Sequence, residues 1–426
     1  MRDDASAAGF RWLPPGLRPP VAMVWRQERV LLLVGAAAFF AGYDQNVFGF
    51  AIPQIQASLH IPENQIGLTV SYFRIAALLA LLIAASADLV GRRRLLLVTL
   101  FGQGFFTLLT AFAPNYDSFV WAQLLTRVFG YSEEMLCWVV VAEEMAAGAR
   151  GWANGTISSF YYLGAGVASL VFSMITILPY GWRSLYAIGA GAIFLVAWLR
   201  RRLPETRRFA ARELDQKAMS KKAETLSLLR GLVREYPWRI LTVVVAAGAF
   251  GFAMAAATVL QSKYLQSFYG YAPWQASAVT IPGGLIGLGL AITAGRLSDR
   301  WGRKPMALGI VILAGVCFFL FYGGAPGWAV PLLWILAFFG FFSGDALIAG
   351  FALEIVPTHY RSTVSGLRYV VEIGMGAGAL ALEGVLFDRF GAHGPAIQLL
   401  LAPIVITLFA ILFLPEPAGK ALEEMA

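Results

Sequence analysis

The chain predicts an all-α integral membrane protein of twelve transmembrane helices, arranged as two pseudo-symmetric six-helix bundles. Three observations carry that expectation: an apolar composition, twelve apolar stretches of spanning length, and polar landmarks that recur at one constant offset. Hydrophobic residues make up 58% of the 426 and charged residues only 14%, with a mean hydropathy of +0.68. A soluble domain carries about 25% charged residues, so a water-soluble core is excluded. The landmarks Asp88, Gly91, Arg92, Glu134, Glu143, Arg150 and Gly155 recur as Asp299, Gly302, Arg303, Asp345, Glu354, Arg361 and Gly366, each 211 residues later. Such register across differing apolar stretches marks a duplicated membrane unit.

A spanning helix needs about 20 mainly apolar residues. The first half offers Val30–Ile52, Gln65–Ala87, Leu95–Ala113, Ser118–Val141, Trp152–Leu178 and Ser184–Leu199; the second offers Trp238–Leu260, Trp274–Ala294, Met306–Tyr322, Val330–Leu353, Ser362–Phe387 and Ala396–Leu414. The expected organisation is therefore a tail (1–29), a six-helix bundle (30–199), a linker (200–237), a second bundle (238–414) and a C-terminal tail (415–426). Residues 1–28 hold Asp3, Asp4 and four prolines without an apolar signal-peptide core, and read as an uncleaved tail.

Basic residues set the expected orientation. The tail, Arg92-Arg93-Arg94, Arg150, the linker, Arg296 to Lys304 and Arg361 share one side, while the opposite loops hold Arg183, Lys263 and Arg389. The positive-inside rule then puts both termini in the cytoplasm of a multi-pass cell-membrane protein. The segment Arg200 to Pro237 carries 11 basic and 5 acidic residues, and an amphipathic helix around Lys222 to Val233 would lie on the anionic leaflet. A topology-fixing loop is the simpler reading of the same charges. Although the net charge is +8, the basic residues sit in short runs between spans, so nucleic acid is not an expected partner.

Gly295-Arg-Leu-Ser-Asp299-Arg-Trp-Gly302-Arg303-Lys304 resembles the loop 8-9 signature of the major facilitator superfamily. The first-half copy, Ala84-Ala-Ser-Ala-Asp88-Leu-Val-Gly91-Arg92-Arg93, departs from it at Ala84 and Leu89. Glu143 with Arg150-Gly151, Glu354-x-x-Pro357-x-x-x-Arg361, and Pro204-Glu205-Thr206 further resemble the sugar-porter and organic-acid proton symporter branches. The resemblance implies a monomeric secondary transporter working by alternating access, with no cofactor and no catalytic role. Asp88, Arg92, Glu143 and Arg150, with Asp299, Arg303, Glu354 and Arg361, form the expected gating set. Each exposed pair is worth only about 0.2–1 kcal/mol, so a network is needed to bias a conformational equilibrium.

Ionised groups inside the bilayer cost about 2.5–3.5 kcal/mol each even on lenient scales, and call for a partner or a watery cavity. Counted from the outer end of each span, Asp44, Arg74 and Arg127 lie at about 13 Å, and Glu133, Glu134, Asp345 and Glu372 at about 22 Å. Two polar layers are expected, one acid with two arginines and then four carboxylates. Gly42-Tyr43-Asp44-Gln45-Asn46-Val47 resembles the first span of sugar porters, which implies Asp44 as proton acceptor and Arg127 as its partner. The interval from Arg127 to Glu143 is shorter than that family's pattern by about one turn, and Arg74 stands as the rival partner. Asp44, Glu133, Glu134, Asp345 and Glu372 are the candidate proton-coupling residues, since clustered acids at low dielectric share protons. Glu372 is alternatively satisfied by Arg368 one turn away, and Glu133 faces a neighbouring helix in the competing reading. Arg74, Arg127, Tyr43, Tyr161 and Trp138 are candidate walls of the substrate cavity, although aromatic residues in apolar helices are more often packing.

His60, His359 and His393 all fall in loops, so any proton relay is expected to be carboxylic. Glycines 164, 166, 374, 376 and 378 read as close helix packing. Cys137 and Cys317 lie in apolar runs of opposite halves and indicate neither a disulfide framework nor a metal site. Six buried acids against three buried arginines lean toward a neutral or cationic solute. The first reading is proton-coupled symport of a small organic solute; the second is proton-driven export of cationic or amphiphilic compounds. ATP-driven transport is disfavoured because no Gly-x-x-x-x-Gly-Lys-Ser/Thr phosphate loop is present.

Overall fold

Lipid cannot satisfy a bare backbone amide, so spanning segments close their hydrogen bonds internally. The computed structural model describes residues 10, 18–19, 21–86, 91–145, 149–201, 230–232, 234–357 and 360–416, and the regular elements among them are helices. The first half forms α1 (Trp25–Leu59), α2 (Gln65–Ala85), α3 (Arg92–Ala111), α4 (Tyr116–Glu144), α5 (Arg150–Ser173) and α6 (Trp182–Arg200). The second forms α7 (Pro237–Val259), α8 (Gln261–Ser267), α9 (Pro273–Trp301), α10 (Arg303–Tyr322), α11 (Val330–Glu354), α12 (Arg361–Phe390), α13 (His393–Leu400) and α14 (Ile404–Phe413). Ten of the spans are apolar and long enough to cross a membrane. Helices α4 and α9, of 29 residues each, bring the set to the expected twelve. Spans seven and twelve each comprise two consecutive helices, α7 with α8 and α13 with α14.

Helix ends follow local chemistry. Asn115 starts α4 by accepting from the Ser118 amide at 2.9 Å, while the Ser118 hydroxyl accepts from the Asn115 amide at 3.3 Å, a reciprocal capping box. Gly91 and Gly302 precede α3 and α10 with φ of 98° and 100°. These repeat-related positions take a backbone conformation that side chains rarely adopt, which explains why glycine sits at both. The amphipathic helix expected near 222–233 lies largely outside the described residues.

The chain divides into two compact units: residues 1–59 with 76–218, and residues 60–75 with 219–426. Helix α2 thus contributes its first part to the second unit and the rest to the first. In the first unit α1 packs on α5 and α6, and α3 on α4 and α6. The second repeats this pairing, with α7 on α12 and α14, and α10 on α11 and α14. A core of Leu31, Val34, Leu96, Leu136, Val140 and Ile157 joins α1, α3, α4 and α5.

Because lipid is as apolar as leucine, helix association relies on close packing. A Cβ at Gly42 would collide with the Tyr161 backbone carbonyl, and one at Gly164 with that of Phe39, so α1 and α5 touch backbone to backbone. In the equivalent α7–α12 pair, a Cβ at Gly251 would press on Glu372 and one at Gly376 on the Arg74 guanidinium. The packing role expected of five glycines therefore holds for Gly164 and Gly376. Gly166, Gly374 and Gly378 face open space, being on helix faces turned from any neighbour.

Thermal unfolding in detergent separates these two kinds. Gly164→Ala is expected to destabilise by about 1–3 kcal/mol through overpacking, whereas Gly166→Ala is expected to stabilise by about 0.5–1 kcal/mol. Equal midpoints for the two variants would contradict the packing described.

Candidate functional site

Burying a charge in a spanning helix requires a partner, so buried charges and their partners locate the polar sites. In the first unit, Asp44 on α1 is 1% exposed. Its Oδ1 accepts from the Thr107 hydroxyl at 3.0 Å, its Oδ2 has no hydrogen bond among the described residues, and Gln103 is a further polar side chain acting on the carboxylate. The Arg127 guanidinium is its opposite-charge neighbour and donates to the Gln45 carbonyl at 2.9 Å. Tyr161 on α5 donates to Gln45 Oε1 at 2.9 Å, and Glu134 is an electrostatic neighbour of Gln45 and Tyr161. Gln45 thus ties Arg127 and Tyr161 together beside Asp44, with Glu134 close to both. The sequence motif contained Gln45, but nothing in the spacing gave it this position.

Glu133 and Glu134 are neighbours in sequence with separate surroundings, since successive helical residues point about 100° apart. Glu133 pairs with Arg200 at the end of α6, both side chains 1% exposed. It also accepts from the Thr99 hydroxyl at 2.6 Å and lies 3.5 Å from the Cys137 sulfur. Arg200 in turn donates to the Leu33 carbonyl at 3.1 Å. The sequence reading assigned Arg200 to the linker, but α6 runs one residue further and draws the guanidinium into the bundle. A signal for these sites was present: Thr99, Gln103 and Thr107 recur every four residues and form a buried polar stripe on α3.

In the second unit, Arg368 Nη1 donates to Asp345 Oδ1 and to Glu372 Oε2, both at 2.6 Å. The local Arg368–Glu372 pair extends across to α11, and Arg74 is a second cation acting on Glu372. Arg74 therefore belongs with Glu372 in the second unit, whereas Arg127 accompanies Asp44 in the first. The expected layer of four carboxylates resolves into an isolated Glu133–Arg200 pair, Glu134 beside Gln45, and an Asp345–Arg368–Glu372 bridge.

Two of the candidate cavity walls make packing contacts. Tyr43 is buried and donates to the Leu185 carbonyl of α6 at 2.9 Å, because position 43 turns toward α6 next to Gly189. Trp138 packs on the core of α1, α3, α4 and α5. The proposed count of buried charge also changes: Arg200 and Lys263 join the buried cations, since both lie inside helices that were expected to have ended. Among the described residues the buried charges are then four acids (Glu28, Asp44, Glu133 and Glu383) and four cations (Arg92, Arg127, Arg200 and Lys263), which removes the lean toward a cationic solute.

Arg92 and Glu143 pair at 3.0 Å across α3 and α4, and Arg303 and Glu354 at 2.7 Å across α10 and α11. Both pairs span 51 residues and are related by the repeat. Each ties neighbouring helices within its own unit. Arg303 also donates to the Ser298 hydroxyl at 2.9 Å, and Glu416 accepts from the backbone amides of Arg303 and Lys304 at 2.8 and 2.9 Å. A carboxylate there satisfies free amides at a helix start and opposes its dipole. Asp88 lies outside the described residues, as do the side chains of Arg150 and Asp299; Arg361 opens α12.

Residues 34–372 match the family described as Major Facilitator Superfamily. The chain is 25% identical to a "Probable 4-methylmuconolactone transporter" of Cupriavidus pinatubonensis, over 90% of this chain and 89% of that one. It is 27% identical to a "Citrate-proton symporter" of Salmonella typhi, over 80% and 82% of the two chains. Among solved structures, a "D-xylose-proton symporter" superposes with a TM-score of 0.73 at 18% identity, covering 92% of this chain and 99% of that one.

The Glu133–Arg200 pair yields a test. Arg200→Leu is expected to destabilise by about 3–5 kcal/mol, because it strands a buried carboxylate. Adding Glu133→Leu is expected to recover most of that loss. Unfolding midpoints of the single and double variants measure this, and a double variant no better than Arg200→Leu would overturn it.

Proposed function

The chain belongs to the Major Facilitator Superfamily, and from that premise we propose that it is a proton-coupled symporter of a small organic solute, taking it up by alternating access. It is a multi-pass membrane transporter and no enzyme. The observation that carries proton coupling is Asp44: a buried carboxylate with one oxygen held by Thr107 and the other without a hydrogen bond among the described residues. A proton can join that oxygen without breaking a hydrogen bond. Its neighbour Arg127 is then released from part of its electrostatic partnership, so protonation is transmitted to Gln45 and onward to Tyr161 and Glu134.

With both termini cytoplasmic, as the basic loops favour, the proton enters from outside. Protonation with solute bound favours the closed and then the inward-open arrangement, and release of both inside resets the cycle. The balance of four buried acids and four buried cations among the described residues supports a neutral or weakly acidic solute. Relatives named for a lactone, citrate and xylose support the same range. The bridged Asp345–Arg368–Glu372 group supplies hydrogen-bonding charge in the second unit, where Asp345 stays the most accessible of the three.

Proteoliposomes containing an internal pH dye test this reading. Adding the right solute outside is expected to acidify the interior; alkalinisation would establish exchange and overturn symport. Asp44→Asn is expected to reduce gradient-driven uptake more than tenfold while solute counterflow persists, since only the proton step is removed. Glu134→Gln is expected to abolish coupled flux in the folded protein. Normal coupling in both variants would overturn the assignment.

A further inference from the structure

A second set of titratable groups lies at the end of the second unit farthest from Arg303, and proton coupling through Asp44 makes no use of it. His393 begins α13. Its Nδ1 lies 2.6 Å from Glu383 Oε1, and its Nε2 lies 2.9 Å from Glu63 Oε2. Lys263 Nζ reaches the same Glu63 oxygen at 2.6 Å. Glu383 is 0% exposed and its other oxygen has no hydrogen-bond partner among the described residues, while Glu63 is 44% exposed and opens the group to water.

The geometry counts protons. A neutral imidazole has one N–H, yet both ring nitrogens here lie within hydrogen-bond distance of carboxylate oxygens. Two such bonds require one proton beyond a neutral histidine and two ionised acids, whether it resides on the ring or on a carboxyl group. Charge agrees: with that proton, Glu63, Glu383, His393 and Lys263 sum to zero, and without it the buried group carries an uncompensated negative charge. Other titratable groups nearby are held in place. Tyr264 and Tyr322 donate to the Tyr322 and Ala257 carbonyls at 2.9 and 2.6 Å, and Asp388 accepts from Asn64 at 3.0 Å. The Phe387 ring lies 4.5 Å from the imidazole.

The same contacts fasten the start of α2. A Cβ at Gly67 would collide with the Leu380 carbonyl and sit 2.8 Å from Glu383 Oε2, and one at Gly384 would collide with the Asn64 carbonyl. Residues 60–75 belong to the second unit through these contacts, although the chain on both sides of them belongs to the first.

We propose that Glu63, His393 and Glu383 form a proton-binding site that fastens residues 60–75 to the second unit when it takes up one proton. Whichever arrangement holds more protons gains as pH falls, so the fastened one is favoured at low pH and released at high pH. The site is separate from Asp44; the proposed orientation only makes the outside medium its proton source.

Spin labels at Pro62→Cys and Gly327→Cys, with both buried native cysteines retained, report the fastening by their distance distribution in detergent, without solute or gradient. Between pH 5 and 9 the ratio of short to long distances is expected to fall, by up to tenfold per pH unit for one proton. Glu63→Gln is expected to remain fastened without pH dependence, because its amide donates to neutral Nε2. His393→Gln is expected to lose the pH dependence too, and Asp44→Asn to retain it in full. A pH-independent distribution in the parent, an unchanged response in Glu63→Gln, or loss of the response in Asp44→Asn would each overturn the proposal. Failure of symport leaves this readout untouched, so the two readings fail separately.

Discussion

The cost of an ionised group in hydrocarbon is the constraint on which the rest of this structure depends. One unpaired charge at mid-bilayer costs about 2.5–3.5 kcal/mol at the least, a large share of a typical stability of about 5–15 kcal/mol. Acids on the spans accordingly have an assigned neighbour: Thr107 and Arg127 for Asp44, Arg200 for Glu133, Arg368 for Asp345 and Glu372. Helix ends and helix pairings are set to make those meetings possible. The extra length of α6 delivers Arg200, and the backbone contact of α1 with α5 brings Tyr161 to Gln45. Where one oxygen has no hydrogen bond among the described residues, as in Asp44, there is room for a chemical event.

The two units solve a common packing problem with common parts and different electrostatics. Both use a glycine at positive φ before the third span of the half and an arginine just after that glycine that reaches a glutamate 51 residues on. Burial differs, with the Arg92–Glu143 pair nearly enclosed and Arg303–Glu354 about a quarter exposed. By solvent screening alone the first pair is the stronger latch between its helices. Duplication has kept the frame and let the charges at its centre diverge: Glu134 sits with an amide and a phenol, while its repeat partner Asp345 is bound to a guanidinium.

Most of the fold was legible in the sequence because span length and landmark spacing are properties of the chain alone. Depth alone put Asp44, Arg74 and Arg127 together, and only the resemblance to sugar porters singled out Arg127 over Arg74; the structure sets Arg74 beside Glu372 instead. The parts that escaped lie at the ends of apolar runs. Arg200, Lys263 and His393 each follow or precede such a run, where a polar residue reads equally as a loop in water or as a buried partner. Only packing decides, and all three turn inward. His393 was expected in a loop; it lies between two glutamates because α13 begins at His393 itself. Tyr43 and Trp138 were ambiguous for the opposite reason: an aromatic ring has no depth signature that separates a wall from a core.

Arg200 has one further consequence. It is anchored by Glu133 and the Leu33 carbonyl, and the next carbonyl, of Arg201, accepts from Arg93 on α3 at 2.8 Å. The C-terminal end of α6 is thus stapled to α1, α3 and α4 before the chain leaves the bundle. A chain cut just beyond residue 201 would leave every one of those staples in place, so these contacts hold the sixth helix whatever follows it in the chain.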